Sequence, residues 1–258
     1  MTKVKFKKDG LLATVSIDRE ERLNSMDYET LIELEKVIEK LKFSKDIRVV
    51  VFTGAGEKAF SAGADLKERK NLNDQQVRRN VQKTREVINH IELLPLPTIA
   101  AINGFALGGG LELALVCDFR IAADHAQMGL TEVSWGIVPG AGGTQRLARL
   151  IGVSKAKELI LTARKIDSET AYSWGMINKR VNKNELQSQV NLLVNEITSN
   201  APLAVNQAKI AIQQGSDTDL HTGLAIESKA YEAIIQTEDR IEALNAFQDK
   251  RPPQFQGK

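Results

Sequence analysis

The sequence predicts an α/β protein in which a layered core is followed by a helical C-terminal region. In the first half of the chain, short β-branched runs alternate with helical patterns, an order typical of strands joined by crossover helices. Beyond about Ile151 helical patterns follow one another, and no strand pattern longer than 177–181 interrupts them. The sequence has no fixed-period repeat, low-complexity tract or Gly/Ser linker, so we expect the helices to pack on the core or on a neighbouring subunit.

The chain opens with a hairpin pattern. Two runs with alternating apolar residues, 4–7 and 11–17, flank the dipeptide Asp9-Gly10. That dipeptide suits a tight turn with positive φ, so the two runs are predicted to pair as antiparallel strands. Asp27 then precedes a helical pattern whose apolar residues share one face: Leu31, Leu34, Ile38 and Leu41.

Strands and helices alternate in the first half of the chain but not in the second. Short strands are predicted at 47–53, 98–102 and 118–122. A long polar helix over 74–94 ends at Pro95 and Pro97, because proline cannot continue a helix. Later helices are predicted over 156–162, 169–174, 185–198, 203–214, 220–236 and 238–249.

The composition argues against several classes of protein. Lys and Arg number 35 against 33 Asp and Glu, so the net charge of +2 provides no broad basic field for nucleic acid or an anionic membrane. The single cysteine, Cys117, cannot form an intramolecular disulfide, and the histidines lack metal-ligand spacing. Because no apolar run suits a membrane span or a signal peptide, we expect a soluble cytoplasmic protein.

Glu112 and Glu132 are the candidate acid and base residues. Each follows a glycine-bearing turn and lies among mostly apolar residues. An isolated buried charge costs folding free energy, so two such carboxylates are expected to face a polar cavity, a partner or a substrate. For either glutamate alone, a solvated helix position is the commoner interpretation.

The run Gly108-Gly109-Gly110 precedes a helical pattern over 111–117. N–H groups near Gly109 would then point outward, with the positive end of the helix dipole behind them, which suits an oxyanion. A second N–H group could come from Ala64, in a glycine-bearing segment that follows a predicted strand.

The other glycine-rich segments do not match nucleotide-binding motifs. The run 54–58 has neither the Gly-Lys-Ser/Thr of a P-loop nor the third glycine of a dinucleotide fingerprint. The sequence also lacks a Gly-x-Ser-x-Gly elbow and a His-Glu-x-x-His helix. The cluster 140–143 predicts a close turn before a helix over 144–150, and this turn should help to shape the site.

The chain resembles the enoyl-CoA hydratase/isomerase (crotonase) superfamily over essentially its whole length. The resemblance rests on Arg22-Leu23-Asn24, Gly63-Ala64-Asp65 and the two glutamate segments. Three runs are most similar to the branch that contains methylglutaconyl-CoA hydratase, an enzyme also described as binding AU-rich RNA: 63–69, 108–115 and 250–253. In this context the two glutamates together indicate a catalytic pair.

The resemblance implies a spiral of repeated ββα units over residues 1–200, which would carry the acyl-CoA site. The helical region over 201–258 would build a trimer or a dimer of trimers. The expected partner is an acyl-CoA thioester. Coenzyme A is then part of the substrate, and no metal or prosthetic group is required.

The resemblance also implies roles for individual residues. The backbone N–H groups of Ala64 and Gly109 would bind the thioester oxygen, which becomes an enolate oxyanion. Glu112 would activate water for attack at the β-carbon, and Glu132 would deliver a proton to the α-carbon. Further contacts with the substrate or its CoA are implied for Arg22, Ala62, Asp65, Leu66, Lys67, Trp135 and Gly140. Trp135 stands where related hydratases often carry a smaller aliphatic residue, so it either narrows the acyl pocket or simply packs.

Three functions stay open at this point. Hydration of a 2-enoyl-CoA, in fatty-acid or branched-chain acyl-CoA degradation, is favoured because both glutamates are present. An enoyl-CoA isomerase or another crotonase reaction is the alternative. RNA binding is the third, but five basic side chains between residues 29 and 48 are matched by five acidic ones, which argues against strong, salt-dependent binding by that helix.

Overall fold

A computed structural model describes residues 2–258, so Met1, the first residue of the predicted core, lies outside the described residues. The chain divides into two compact units. The larger unit comprises residues 2–94 and 98–191, and the smaller comprises 95–97 and 192–258. The domain boundary predicted at residue 200 stays a prediction.

The strands found within residues 2–258 all lie in the larger unit. They are β1 (Val4–Asp9), β2 (Leu12–Ile17), β3 (Val49–Gly54), β4 (Ala59–Ser61), β5 (Thr98–Ile102), β6 (Phe105–Leu107), β7 (Phe119–Ala123), β8 (Gln127–Gly129), β9 (Ile166–Asp167) and β10 (Lys179–Val181). They form a six-stranded sheet of order β1-β2-β3-β5-β7-β10 and a four-stranded sheet of order β4-β6-β8-β9.

The first α-helix lies between β2 and β3. In chain order they are α1 (Tyr28–Lys42), α2 (Leu66–Arg69), α3 (Asp74–Glu92), α4 (Gly109–Leu115), α5 (Gly143–Ile151), α6 (Val153–Leu161), α7 (Ser168–Ser173), α8 (Leu186–Thr198), α9 (Pro202–Gly215), α10 (Leu220–Glu232) and α11 (Glu238–Gln248). The helices predicted from the sequence are therefore present, with boundaries that shift by a few residues.

Three successive strand pairs build the two sheets together. In the larger sheet β3, β5 and β7 run parallel, and in the smaller sheet β4, β6 and β8 run parallel. Each pair is followed by helical structure: α2 and α3 follow β4, α4 follows β6, and a 3-10 helix (Glu132–Trp135) follows β8. This is the ββα repeat that the resemblance implies, and the predicted α/β fold class is confirmed.

The N-terminal hairpin and the first helix form as the sequence predicts. Strands β1 and β2 pair antiparallel, and Gly10 in their turn has a φ of 56°, a left-handed conformation that glycine adopts readily. Asp27 caps α1 by accepting a hydrogen bond from the Thr30 N–H at 2.9 Å. The predicted apolar face of α1 is buried: Leu31, Leu34, Ile38 and Leu41.

The smaller sheet is absent from the sequence-based prediction. Its strands have only two or three residues each, too few for an alternation of apolar residues to show. Three of them, β4, β6 and β8, each follow a strand of the larger sheet after a short connection. Ala64, Gly109 and Glu132 each follow one of these short strands.

The smaller unit carries large apolar side chains that face solvent. Ile212, Leu220 and Phe247 are 71%, 79% and 85% exposed. Such exposure is typical of an interaction surface, and it agrees with the predicted oligomerisation region, although the trimer itself stays a prediction. Within residues 2–258, the structure has no helix that is both long enough and apolar enough to cross a membrane.

Candidate active site

Three strand ends of the smaller sheet open onto one cavity. Ala64 follows β4, Gly109 follows β6 and Glu132 follows β8, and these strands are parallel neighbours. Because the carboxyl ends of parallel strands meet at one edge of a sheet, the three residues come together there. Together with Glu112 they line a cavity of about 540 Å³.

Glu112 is buried on α4 and held by the backbone of the glycine cluster. Its Oε1 atom accepts hydrogen bonds from the N–H groups of Ala141 and Gly143, each at 2.8 Å. A Cβ atom on Gly143 would lie only 3.0 Å from that oxygen, so the absence of a side chain allows the approach. The predicted turn is present, and it binds the carboxylate.

Two arginines fix the loop that holds Glu112. The Arg146 Nη1 donates to the carbonyl of Ala141 at 2.8 Å, and its Nε donates to the Glu92 carboxylate on α3 at 2.9 Å. The Arg85 Nε, also from α3, donates to the carbonyl of Gly140 at 3.0 Å. The N–H groups that face Glu112 are therefore held in place from α3.

Glu132 begins the short 3-10 helix and is almost fully buried, but its surroundings differ from those of Glu112. Its Oε2 atom is buried and has no hydrogen-bond partner within residues 2–258. Gly108, with a φ of 52°, lies beside it, and a Cβ atom there would come within 3.1 Å of the Glu132 Oε1. The turn at Gly108 thus leaves room for the Glu132 carboxylate, and the glycine cluster at 140–143 binds the Glu112 carboxylate.

These surroundings act differently on the pKa values of the two carboxyl groups. Burial raises the pKa of Glu132 to about 7, and the negative charge of Glu112 adds to the rise. Burial also raises the pKa of Glu112, but the hydrogen bonds from Gly143 and Ala141 stabilise its ionised form and oppose the rise. The hydrogen bonds to Glu112 therefore favour its ionised form, whereas the Glu132 Oε2 has no such donor within residues 2–258.

The backbone nitrogens of Ala64 and Gly109 lie close together at the cavity. Neither donates a hydrogen bond within residues 2–258, and an ideal Cβ position on Gly109 lies 3.8 Å from the Ala64 nitrogen. Gly63, with a φ of 84°, permits this approach, because a Cβ atom there would lie 2.9 Å from the Gly109 nitrogen. One oxygen atom in the cavity can therefore accept from both donors.

The other predicted contact residues divide into two groups. Ala62, Leu66, Trp135 and Gly140 line the cavity. Arg22, Asp65 and Lys67 do not line it: Arg22 and Lys67 are exposed to solvent, and Asp65 is buried. Contacts of all these residues with a substrate or its CoA stay predictions.

Two arginines that were not among the predicted site residues also line the cavity, Arg69 and Arg85. Arg69 ends α2, and within residues 2–258 its side chain makes no hydrogen bond or ion pair. Its charge lies close enough to Glu132 to oppose the rise in the pKa of that carboxyl. Arg69 belongs to the run 63–69 noted above, but nothing in the spacing of that run places its side chain in the cavity.

No three His, Cys, Asp or Glu side chains converge as a metal-ligand set in the part of the chain that the structure describes. The expectation that no metal or prosthetic group is required stays a prediction.

Comparison with known proteins agrees with this geometry. The family model described as enoyl-CoA hydratase/isomerase matches residues 7–258. The chain belongs to the enoyl-CoA hydratase/isomerase family. A crystal structure of enoyl-CoA hydratase from Bacillus anthracis is 48% identical, with a TM-score of 0.98 and full coverage of both chains. The predicted family, a family of enzymes, is confirmed.

Two curated relatives are named for different acyl groups. The short-chain-enoyl-CoA hydratase of Clostridium acetobutylicum is 44% identical over 97% of this chain and 96% of the relative. The mitochondrial methylglutaconyl-CoA hydratase of Mus musculus is 45% identical over 95% of this chain and 80% of the relative. Overall identity therefore does not separate the two acyl groups.

The raised pKa of Glu132 predicts how stability depends on pH. Between the ordinary glutamate value of 4.5 and about 7, the folded chain holds a proton on Glu132 that the unfolded chain has lost. The free energy of unfolding should therefore fall as pH rises through this window, by at most about 1.4 kcal/mol per pH unit for one proton. Urea unfolding of the wild type and Glu132→Gln at several pH values measures the difference. Parallel curves for the two proteins would contradict the assignment.

Proposed function

We propose that this chain is a hydratase that adds water across the 2,3 double bond of a 2-enoyl-CoA thioester. The observation that carries the proposal is the meeting, in one cavity, of two unpaired N–H groups and two carboxylates that differ in their hydrogen bonding. Fatty-acid or branched-chain acyl-CoA degradation is the proposed setting. The trimer or dimer of trimers, the cytoplasmic location and any RNA binding stay predictions.

The first step is polarisation of the thioester. The carbonyl oxygen accepts hydrogen bonds from the N–H groups of Ala64 and Gly109, which draws electron density from the β-carbon. During water attack this oxygen becomes an enolate oxyanion, and the fixed donors stabilise the charge as it develops. One such donor contributes roughly a hundred- to a thousand-fold in rate.

The second step is the addition of water, in which Glu112 accepts a proton and Glu132 donates one. The Glu112 Oε1 already accepts two N–H groups, so Oε2 is the oxygen available to take a proton from water. The resulting hydroxide forms the bond to the β-carbon, and Glu132 gives its proton to the α-carbon. The pair still holds one proton after the reaction, now on Glu112, and this proton must return to Glu132 before the next turnover.

For the acyl group, we infer a chain that carries its own carboxylate. A guanidinium stays charged at every physiological pH and is poorly matched by an apolar acyl tail. Arg69 lines the cavity without a protein partner within residues 2–258, so a carboxylate on the acyl group could form a charge-assisted pair with it. This chemistry agrees with the relative named for methylglutaconyl-CoA.

The reaction is tested by mixing crotonyl-CoA with the purified protein and following the loss of the conjugated thioester's absorbance. The wild type should consume it. Glu112→Gln and Glu132→Gln should keep the fold and acyl-CoA affinity while kcat falls about a hundred- to ten-thousand-fold, because each loses proton transfer only. A wild type that converts a 3-enoyl-CoA to the 2-enoyl-CoA but forms no hydrated product would instead mark an isomerase. Loss of folding in Glu132→Gln would contradict its catalytic assignment.

The acyl preference is tested with glutaconyl-CoA, which differs from crotonyl-CoA by a carboxylate on its fourth carbon. Arg69→Met should lower kcat/KM for glutaconyl-CoA relative to crotonyl-CoA by roughly ten- to a hundred-fold, since a hydrogen bond to a charged group contributes about 1.5–3 kcal/mol. Lys67→Met is the matched control: this exposed lysine lies on the same helix outside the cavity lining, so the ratio should not change. An unchanged ratio in Arg69→Met would remove Arg69 from acyl recognition.

A further inference from the structure

The segment that presents the Ala64 N–H lies between β4 and α2 and has no sheet or helix of its own to hold it. Instead, the two peptide groups that flank Ala64 are hydrogen-bonded to the backbone of Met26. The Met26 N–H donates to the carbonyl of Gly63 at 2.7 Å, and the Asp65 N–H donates to the carbonyl of Met26 at 3.1 Å. The direction of the Ala64 N–H therefore depends on how firmly the Met26 segment and Asp65 are joined.

One buried guanidinium joins them. The Arg19 Nη2 donates to the Asp65 Oδ2 at 2.8 Å and lies 3.1 Å from the Asp27 Oδ2. Its Nη1 donates to the carbonyl of Ser25 at 2.5 Å. Through its hydrogen bonds Arg19 thus joins Ser25, the residue before Met26, to Asp65, the residue that follows Ala64, whereas its contact with Asp27 is an ion pair only.

Both carboxylate oxygens of Asp65 accept hydrogen bonds from the protein. Its Oδ1 accepts the N–H groups of Lys67 and Glu68 at 3.0 and 3.2 Å, which caps α2, and its Oδ2 accepts from Arg19. Burial alone would raise the pKa of Asp65, but the hydrogen bonds from Arg19 and these N–H groups outweigh it and hold the pKa below its ordinary value. Asp65 does not line the cavity, so its carboxylate acts on the protein rather than on the substrate.

We propose that Arg19, acting through Asp65, is a positioning residue that aims the Ala64 N–H at the thioester oxygen. The inference rests on the proposed function, because it assigns that N–H its task. A misplacement of about 1 Å at a reacting centre costs roughly a hundred-fold in rate. The hydrogen bond between Arg19 and Asp65 therefore contributes to turnover by fixing the Ala64 N–H, although neither side chain contacts the substrate.

The chain offers a matched control in Asp27. This carboxylate is also buried, also contacts the Arg19 Nη2, and also caps a helix, by accepting from the Thr30 N–H. Asp27→Asn and Asp65→Asn each replace one charged acceptor of the same guanidinium while keeping an oxygen for the cap. Only Asp65 is bonded covalently to Ala64.

The experiment compares the two variants with the wild type in three measurements: thermal unfolding, kcat and KM for crotonyl-CoA, and the absorption of a bound cinnamoyl-CoA derivative with an electron-donating ring substituent. Such a conjugated thioester absorbs at longer wavelength as its carbonyl accepts stronger hydrogen bonds. Asp65→Asn should lose part of that red shift and roughly ten- to a hundred-fold in kcat, with KM changed by less than about three-fold. Asp27→Asn should keep the red shift and a kcat within about three-fold, although its melting temperature should fall at least as far as that of Asp65→Asn, because Asp27 also pairs with Lys3.

Equal losses of red shift and kcat in the two variants would show a general structural effect and overturn the assignment. Full retention of both in Asp65→Asn would overturn it as well. Arg19→Lys keeps the charge but not the planar fork, and it should give a red shift between those of the wild type and Asp65→Asn. A wild type that shifts the chromophore without hydrating crotonyl-CoA would refute the proposed reaction alone, since the shift in Asp65→Asn would still test the positioning role.

Discussion

The site depends on one electrostatic constraint: two carboxylates are buried around the same cavity, and they must differ in how readily they hold a proton. Two ionised carboxylates in such a place repel each other, and each has lost hydration. The structure resolves this by giving Glu112 two backbone N–H donors while the Glu132 Oε2 has no partner within residues 2–258. One carboxylate is thereby suited to accept a proton and the other to hold one.

The fold supplies this difference through parts that lie far apart in the chain. Three parallel strands of two or three residues place Ala64, Gly109 and Glu132 at one edge of the smaller sheet. The donors to Glu112 come from a loop that Arg146 and Arg85 tie to α3. The two glutamates and the backbone N–H donors are thus held in place by the surrounding structure. The site therefore needs little rearrangement to stabilise a developing oxyanion.

Much of this could be predicted from the sequence, for physical reasons that differ between elements. The hairpin and α1 follow local rules, because a turn dipeptide and a 3.6-residue apolar period act within a few residues. The glutamates and glycine turns stood out because charges among apolar residues and runs of glycine both need a cause. Family resemblance then assigned roles that the residue pattern alone left open.

The rest of the site is built from long-range contacts. The strands β4, β6, β8 and β9 are too short to show a period. Arg146 reaches Glu92 across 54 positions, and Arg19 reaches Asp65 across 46. No local pattern marks such partners, and an arginine in a helix is usually solvated. The same reason hid Arg69, whose place in the cavity depends on how α2 packs rather than on its neighbours in the chain.

The central claim is that the working enzyme holds one proton on its carboxylate pair, resident on Glu132 before water is added. The most direct test is the pH dependence of kcat/KM for hydrating crotonyl-CoA and for dehydrating 3-hydroxybutyryl-CoA. Adding water takes up no net proton, so both directions require the same singly protonated pair, and agreement between them checks the data. We predict that both fall as pH rises through a pKa of about 7, where Glu132 loses its proton. A profile that stays flat or rises between about pH 6 and 9 would contradict the account.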